Sequence, residues 1–258
     1  MRILLTNDDG IEAPGLIALY QAIRDMGDVQ VVAPVEVQSA TSHAVTFHKP
    51  IATRRHVVAT DRGEDLFDGI AVEGRPADCV KLALAELLDK PVDLVISGMN
   101  AGANVGLNVI YSGTVAAAME AAFIGVPSIA VSLHIDNPAK IRFDAAAGHA
   151  RRVIDRIVAG PLEPHTVLNL NIPMLDDGVE PLRVRVVPVS TIPLIDGYDQ
   201  HDHPSGDRHF TASSGMTWPH TPPDSDVGAL FNRYITLTPL HFDLTLKSKL
   251  EAWATHMQ

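Results

Sequence analysis

The sequence predicts an α/β fold in which a mostly parallel sheet is covered by helices on both faces. Over the first 173 residues, short apolar runs alternate with longer segments of helical periodicity, which is the pattern of a doubly wound sheet. Three of the apolar runs end abruptly in polar or glycine-rich segments, at residues 7–10, 38–43 and 97–106. Ligands bind at the carboxyl ends of the strands in such sheets, so these segments are the first candidates for a functional site.

The predicted elements follow one another through short connections. Strands are expected at residues 3–5 and 28–34, and the helix between them at 14–26 begins with Pro14, so the two strands should lie parallel. Further strands are expected at residues 51–60 and 66–72, as a hairpin or edge pair, and at 92–96, 127–133 and 167–171. Further helices are expected at residues 76–88, 112–123 and 139–158.

The composition changes after about residue 173. Residues 196–226 are rich in Gly, Pro, His, Ser and Asp and show little periodicity, which fits either an ordered excursion near the site or a mobile loop. A strand-like pattern returns at residues 234–240, and residues 244–253 favour a short terminal helix. We therefore predict a core over residues 1–173 and a smaller appendage, part irregular and part β, over residues 174–258.

Composition and charge exclude several classes of protein. The 258 residues carry a formal net charge of −11, which argues against a stable complex with nucleic acid, because binding its backbone needs a basic face. Cys79 is the single cysteine, so no intrachain disulfide is expected; it fits a helix core position and a reducing, cytoplasmic setting. The amino terminus lacks a signal-peptide pattern, and the longest apolar region, 115–133, is interrupted by Glu120 and Pro127, so no membrane span is predicted.

The first polar segment, Asn7-Asp8-Asp9-Gly10, places two adjacent carboxylates at the end of a buried strand. Two acids side by side are costly unless a cation lies between them. A turn at Gly10 would let both carboxylates converge on one hard divalent ion such as Mg²⁺ or Mn²⁺. The alternative is that these residues simply form a turn, for which their composition is also well suited.

The glycine-rich segment at residues 98–106 matches neither the P-loop nor the dinucleotide fingerprint. Its glycines allow a ligand to approach the backbone closely. Asn100 and Asn104 offer amide oxygens to a metal ion or amide N–H groups to a phosphate. The segment therefore predicts a polar ligand without identifying it.

Ser112-Gly113-Thr114 stands at the start of an alanine-rich helix. Free backbone N–H groups, the helix dipole and two hydroxyls make such a position a ready anion site. The alternative is that Ser112 or Thr114 only caps the helix.

Together these segments predict metal-assisted hydrolysis of a phosphate ester. Few Lys or Arg residues accompany the three segments, so the positive charge that a phosphate requires must come largely from a metal ion and the helix dipole. Two alternatives stay open. One of the aspartates could form an aspartyl-phosphate, although the adjacency of Asp8 and Asp9 disfavours this. The protein could instead be a nucleotide-binding sensor without turnover.

The segments also resemble the motifs of a known family. The string LLTNDDGI at residues 4–11 resembles the opening of the SurE (survival protein E) family of nucleoside monophosphate phosphatases. Further segments resemble that family's later motifs: VAP at 32–34 with QSATSH at 38–43, SGMNAGAN at 97–104, YSGTV at 111–115 and ITLTPL at 235–240. The resemblance spans nearly the whole chain.

The resemblance implies a Rossmann-like core, a carboxyl-terminal part used in oligomerisation, and a homodimer or homotetramer. It also implies one divalent cation per subunit, Mn²⁺ or Mg²⁺, and dephosphorylation of nucleoside 5′- and 3′-monophosphates. The metal ligands implied are Asp8, Asp9, Ser39 and Asn100. The residues implied to hold the phosphate are Asn104, Ser112, Gly113 and Thr114. Asp8 and Asp9 would also be catalytic, since one of them would orient or deprotonate the attacking water.

The chain departs from the family pattern in places. Ala40 follows Ser39 where the family usually has glycine, and Arg75 stands in a Gly-Arg-Pro segment where Gly-Thr-Pro is common. Arg75 is interpreted as a solvated residue at a helix start, with substrate contact as the alternative. His43 is a candidate proton donor to the leaving alcohol, or else a residue that bonds the loop backbone. Residues 196–226 match the family pattern least.

Overall fold

The fold is built on one large mixed sheet. A computed structural model describes residues 1–60, 62–175, 179–193, 197–203, 205–212 and 221–258. The strands in the described chain are β1 (Arg2–Thr6), β2 (Asp28–Pro34), β3 (Thr53–Ala59), β4 (Asp65–Val72), β5 (Leu94–Ala101), β6 (Ser128–Leu133), β7 (Val167–Ile172), β8 (Leu182–Val186), β9 (Tyr198–Asp202), β10 (Arg208–Ala212) and β11 (Tyr234–Leu240). The helices are α1 (Pro14–Ile23), α2 (Pro76–Leu82), α3 (Gly113–Phe123), α4 (Phe143–Val158), α5 (Asp226–Phe231) and α6 (Leu250–His256).

Nine strands form the central sheet in the order β3-β4-β2-β1-β5-β6-β7-β11-β8. β1 lies in the middle and pairs in parallel with β2 and β5, with Ile3 opposite both Val29 and Leu94. The pairs β2–β4, β5–β6, β6–β7 and β8–β11 are also parallel, whereas β3–β4 and β7–β11 are antiparallel. The predicted α/β class and the predicted pairing of β3 with β4 are therefore confirmed.

Helices cover the two faces of the sheet, and β1 contributes to both cores. Ile3 and Leu5 pack in the core that includes α1 and α4, whereas Leu4 packs in the core that includes Cys79 of α2 and residues of α3. Each of these four side chains is fully buried. Truncating a buried leucine costs about 2–5 kcal/mol, a large share of a domain's stability, so the end of β1 is held firmly against both layers.

The structure corrects several predicted boundaries. The helix predicted at residues 76–88 ends as α-helix at Leu82 and continues as a π-helical turn, Ala83–Leu87. The strand predicted at residues 92–96 runs on to Ala101. It crosses a register shift between Ser97 and Asn100, where a Cβ at Gly98 would lie 2.2 Å from the carbonyl oxygen of Val131. The glycine allows this close approach, and so the strand extends into the segment that composition alone favours as a loop.

The chain beyond residue 173 contributes to the same sheet as the core. β11 pairs with β7 and carries β8 on its other side. Within residues 196–226, which the composition favours as irregular, β9 and β10 form an antiparallel hairpin with exposed residues. Residues 196, 204 and 213–220 of that tract lie outside the described chain. The division into a core and an appendage stays a prediction.

No helix in the described part of the chain has the length and apolar character needed to cross a membrane.

Candidate metal and phosphate site

The end of β1 folds into a tight turn that directs Asp8 inward. The side chain of Asn7 closes this turn, because its Nδ2 donates to the carbonyl of Gly10 (2.8 Å) and its Oδ1 accepts from the Gly10 amide (3.2 Å). Gly10 has a φ of +102°, a conformation that glycine adopts without strain. Asp8 is buried, at 4% exposed, and Asp9 is half-buried. The predicted turn is thus present, and it is what places the carboxylates at the site.

Asp8 packs directly against the start of α3. Its Oδ1 accepts a hydrogen bond of 2.6 Å from the hydroxyl of Thr114, which is fully buried. A Cβ at Gly113 would lie 3.0 Å from Oδ2 of Asp8, so only a glycine lets the helix approach so closely. The positive end of the helix dipole therefore faces this carboxylate.

The second carboxylate is held by the end of β5. Oδ2 of Asp9 accepts a hydrogen bond of 3.1 Å from the backbone amide of Ala101. The neighbouring residue, Asn100, is half-buried, and its Nδ2 donates to the carbonyl of Gly102 (2.8 Å). This bond orients the side chain and leaves its Oδ1 as an acceptor for another ligand. Because Ala101 bonds Asp9 and directly follows Asn100, the structure brings Asn100 close to Asp9.

Burial makes both carboxylates hard to ionise. Burial is the main reason that the pKa of Asp8 is raised to about 6. The hydrogen bond from Thr114 lowers this pKa, whereas the charge of Asp9 raises it. Burial also raises the pKa of Asp9, opposed by the amide of Ala101. A cation between the two would favour their charged forms.

The loop after β2 contacts the turn that carries Asp8 and Asp9. The amide of Gln38 donates to the carbonyl oxygen of Asp8 (2.7 Å), which places the exposed Ser39 beside the carboxylate turn. The next residue, Ala40, has a φ of +56°. Such a left-handed backbone costs a residue other than glycine about 1–2 kcal/mol, a cost that the glycine implied here by the family resemblance would avoid.

The same loop reaches the segment before α3. Ser42 donates from its amide to the carbonyl of Tyr111 (3.1 Å) and from its hydroxyl to the carbonyl of Ile110 (2.8 Å). From the other side, the guanidinium of Arg75 donates to Oε1 of Gln38 (2.6 Å). Arg75 therefore supports the loop through Gln38, an arrangement that neither interpretation of this residue predicts.

Asn104 is buried and bonded to the neighbouring strands. It is 6% exposed, and its Nδ2 donates to the hydroxyl of Ser132 (2.8 Å). Its amide donates to Oδ1 of Asn171 (2.8 Å), and its carbonyl accepts from the side chains of Asn169 (2.7 Å) and Asn171 (3.1 Å). The structure thus embeds Asn104 in a buried polar network that holds the glycine-rich segment on β6 and β7.

The two hydroxyls at the start of α3 have different tasks. Oγ of Ser112 accepts from the amide of Val115 (3.1 Å), so Ser112 caps the helix, as the alternative interpretation of this residue predicts. The hydroxyl of Thr114 is engaged with Asp8. The backbone amide of Thr114 also donates to the carboxylate of Asp8 and lowers its pKa. An anion at this helix start would therefore meet the amide of Gly113, which has no acceptor within the helix, and the proton of the Ser112 hydroxyl.

The donor set fits a hard divalent cation. Within the described residues, no three His, Cys, Asp or Glu side chains come together in a way that could hold a metal ion. The predicted ligands are instead two carboxylates, one hydroxyl and one amide oxygen, all of them oxygen donors that suit Mg²⁺ or Mn²⁺ better than Zn²⁺. The raised pKa values of Asp8 and Asp9 give an independent reason for a cation at this place.

Asp226 is a residue of the site region that the sequence does not reveal. It is fully buried at the start of α5 and accepts three hydrogen bonds of 2.8 Å, from the amides of Gly106, Ser190 and Val227. It therefore ties the end of the glycine-rich segment to the carboxyl-terminal part of the chain. Its only sequence signal is its position in the first turn of an apolar helix, directly after the capping Ser225, where acidic residues are common.

His43 has a partner that its sequence context does not predict. Its Nε2 lies 2.8 Å from Oε1 of the buried Glu120, whose other oxygen lies 3.3 Å from Nζ of Lys81. Burial acts to raise the pKa of Glu120, but these two partners hold it below its usual value. His43 is thus bonded to a side chain of α3 and not to the backbone of its own loop, and its role as proton donor to the leaving alcohol stays a prediction.

Comparison with known proteins agrees with this architecture. The family model described as Survival protein SurE matches residues 3–191. The 5′-nucleotidase SurE of Rhodopirellula baltica is 45% identical over 98% of this chain and 98% of its own, and that of Syntrophobacter fumaroxidans is 42% identical over 95% of each. The crystal structure of the SurE protein from Aquifex aeolicus matches with a TM-score of 0.84 at 32% identity and covers 100% of both chains. The chain described here belongs to the SurE family.

Proposed function

We propose that this protein is a phosphoric monoester hydrolase that converts nucleoside 5′-monophosphates, and also 3′-monophosphates, to nucleoside and phosphate with the help of a divalent cation. Family membership supports the hydrolase class, because the relatives compared above are named 5′-nucleotidases. The observation that carries the proposal is the contact between Asp8 and the start of α3, which unites a buried carboxylate and an anion-binding helix terminus in one place.

One ion of Mn²⁺ or Mg²⁺ would be held by Asp8, Asp9, Ser39 and Asn100. When bound, such an ion supplies positive charge to the phosphoryl oxygens and makes water more acidic. The hydrogen bonds at the outer edge of this set give it a fixed geometry: Thr114 orients Asp8, and Ala101 orients Asp9. Such supporting contacts commonly decide how tightly a metal site binds.

The remaining chemistry belongs to the residues of this chain. The amide of Gly113 and the hydroxyl of Ser112 bind and orient the phosphoryl group at the start of α3, and Thr114 holds Asp8 against it. Asn104 adds a further contact to the phosphate from the glycine-rich segment. Asp8 or Asp9 accepts the proton of a water that attacks the phosphorus atom in line with the leaving oxygen.

We further propose that the protein works as a homodimer or homotetramer in the cytoplasm. Large apolar side chains of the carboxyl-terminal segment are exposed in the single chain, among them Leu244 at 87% and Trp253 at 63%. Such side chains favour contact with a second copy. The single buried cysteine, Cys79, suits a reducing compartment.

The test is phosphate release from a panel of 5′- and 3′-mononucleotides in Mn²⁺, in Mg²⁺ and in EDTA. Asp9→Asn is compared with Asp65→Asn, a matched change at an exposed aspartate on β4. We expect metal-dependent release that Asp65→Asn retains and Asp9→Asn abolishes. Release that survives both EDTA and Asp9→Asn would contradict the proposed metal site, and nucleotide binding without release would indicate a sensor.

A further inference from the structure

An apolar pocket of about 330 Å³ extends from the proposed phosphate site along α3. Ser112 lines it at the start of the helix, Met119 lies further along, and Phe123 lines it at the helix end. These positions recur at the spacing of one helical face, so the pocket follows the helix for roughly 16 Å. Its near end is therefore beside the phosphate site, and Met119 lies roughly 10 Å further along the helix.

We propose that this pocket holds the nucleoside part of the substrate, with the base lying between Met119 and the ring of His43. The proposal rests on the function proposed above and adds to it the position of the base. The volume lies within the range of small-molecule sites, and the lining is predominantly apolar with a few polar groups, here Ser42, His43, Ser112 and His241. This combination suits a ligand with flat apolar faces and polar edges.

The far end of the pocket is a rigid aromatic surface. The rings of His43 and Phe123 are parallel, with centroids 5.2 Å apart, and Phe242 meets Phe123 edge-on at 5.1 Å. The bond to Glu120 fixes the ring of His43, and the bonds of Ser42 fix the loop that carries it. Aromatic surfaces that are held in place in this way bind bases by stacking with little loss of side-chain entropy.

A second cavity borders the site but suits a base less well. It measures about 590 Å³ and is lined by charged side chains of both signs, including Glu36, Glu73, Lys49 and Arg75. Desolvating these charges against the faces of a base would be costly, and the two carboxylates would repel an anionic nucleotide. The apolar pocket along α3 is therefore the better nucleoside site.

Substitution of Met119 tests the proposal with two substrates, 5′-AMP and ribose 5-phosphate, which carries the sugar and the phosphate but no base. We expect Met119→Gln to lower the ratio of their kcat/KM values about three- to tenfold, since it replaces part of the apolar lining by an amide. Met119→Leu keeps an apolar side chain and should lower the ratio less. Val57→Gln, which also replaces an apolar side chain by an amide but at an exposed position of the edge strand β3, is the control that should keep the wild-type ratio.

Binding of adenosine, measured by calorimetry, separates this proposal from the function proposed above. Weaker adenosine binding by Met119→Gln than by the wild type supports the pocket even if no nucleotide is hydrolysed. If ribose 5-phosphate and 5′-AMP are hydrolysed and Met119→Gln leaves both their ratio and adenosine binding unchanged, the pocket proposal is wrong and the hydrolase stands. A changed oligomeric state of Met119→Gln with unchanged adenosine binding would likewise overturn it. Should Met119→Gln fail to fold, Leu107→Gln on the same pocket replaces it.

Discussion

Replacing Thr114 by valine tests the contact on which the proposed site depends. Valine has nearly the shape of threonine, so the substitution removes the hydroxyl and leaves the packing of α3 intact. The substitution removes the hydrogen bond of 2.6 Å from the Thr114 hydroxyl to Oδ1 of Asp8. Thr114 is fully buried, so this bond is shielded from solvent. Water cannot take its place, so Asp8 loses a donor that the site does not replace.

The size of the effect follows from the nature of this bond. A hydrogen bond to a charged group contributes about 1.5–3 kcal/mol. At 1.36 kcal/mol for each tenfold change, the charged form of Asp8 would be disfavoured about ten- to a hundredfold. The hydrogen bond from Thr114 lowers the pKa of Asp8, so its loss moves that pKa further above 6. Metal affinity should fall by a similar factor, since a metal ligand must be ionised to bind.

The assay is phosphate release as a function of Mn²⁺ concentration at several pH values. We expect Thr114→Val to need about ten- to a hundredfold more Mn²⁺ for half-maximal rate. Its activity should also rise at higher pH than that of the wild type, because a raised pKa delays the ionisation of Asp8. Thr114→Ser keeps the hydroxyl and should stay close to the wild type in both respects. An unchanged Mn²⁺ requirement and an unchanged pH profile in Thr114→Val would refute this account of the site.

Three further predictions concern the same region. In EDTA, Asp8→Asn should be more stable than the wild type by roughly 3 kcal/mol at about pH 7 and equal to it near pH 3, because a folded-state pKa of about 6 against 3.8 makes ionisation costly only as pH rises; urea unfolding at both pH values decides this. Gly113→Ala should lower activity and cost about 1–3 kcal/mol, since its Cβ would lie 2.9 Å from Cβ of Asp8; wild-type kinetics would contradict the packing. Asp226→Ala leaves three buried amides, including that of Gly106, without their acceptor and should lower the melting temperature by at least about 6 °C. Asp226→Asn keeps one acceptor oxygen and should lower the melting temperature less.

The parts of the fold that the sequence predicts are those in which a local pattern has a single physical cause. The run of Ile3, Leu4 and Leu5 is apolar throughout because β1 lies in the middle of the sheet and buries both its faces. The polar residues that follow cannot lie in this buried strand, and so Asp8 and Asp9 are placed beyond its carboxyl end. The same reasoning predicts β2 and β6 correctly.

The parts that the sequence does not predict depend on contacts between distant residues. His43 and Glu120 are 77 residues apart, and Gly106 and Asp226 are 120 apart. No local pattern distinguishes Asp226 from any acidic residue in the first turn of a helix. Likewise, the continuation of β5 to Ala101 depends on β6 as its partner beyond the register shift, and composition alone cannot show that partner.

The start of α3 shows how one sequence motif can contain two kinds of chemistry. From the sequence, Ser112 and Thr114 are interchangeable, since either could cap the helix or bind an anion. The packing of the helix start on the end of β1 separates them: Ser112 faces the first turn of its own helix, whereas Thr114 faces Asp8. Only Gly113, between them, is small enough to let the two elements meet. The carboxylate turn and the helix terminus are therefore one structural unit, and a change that moves one of them must move the other.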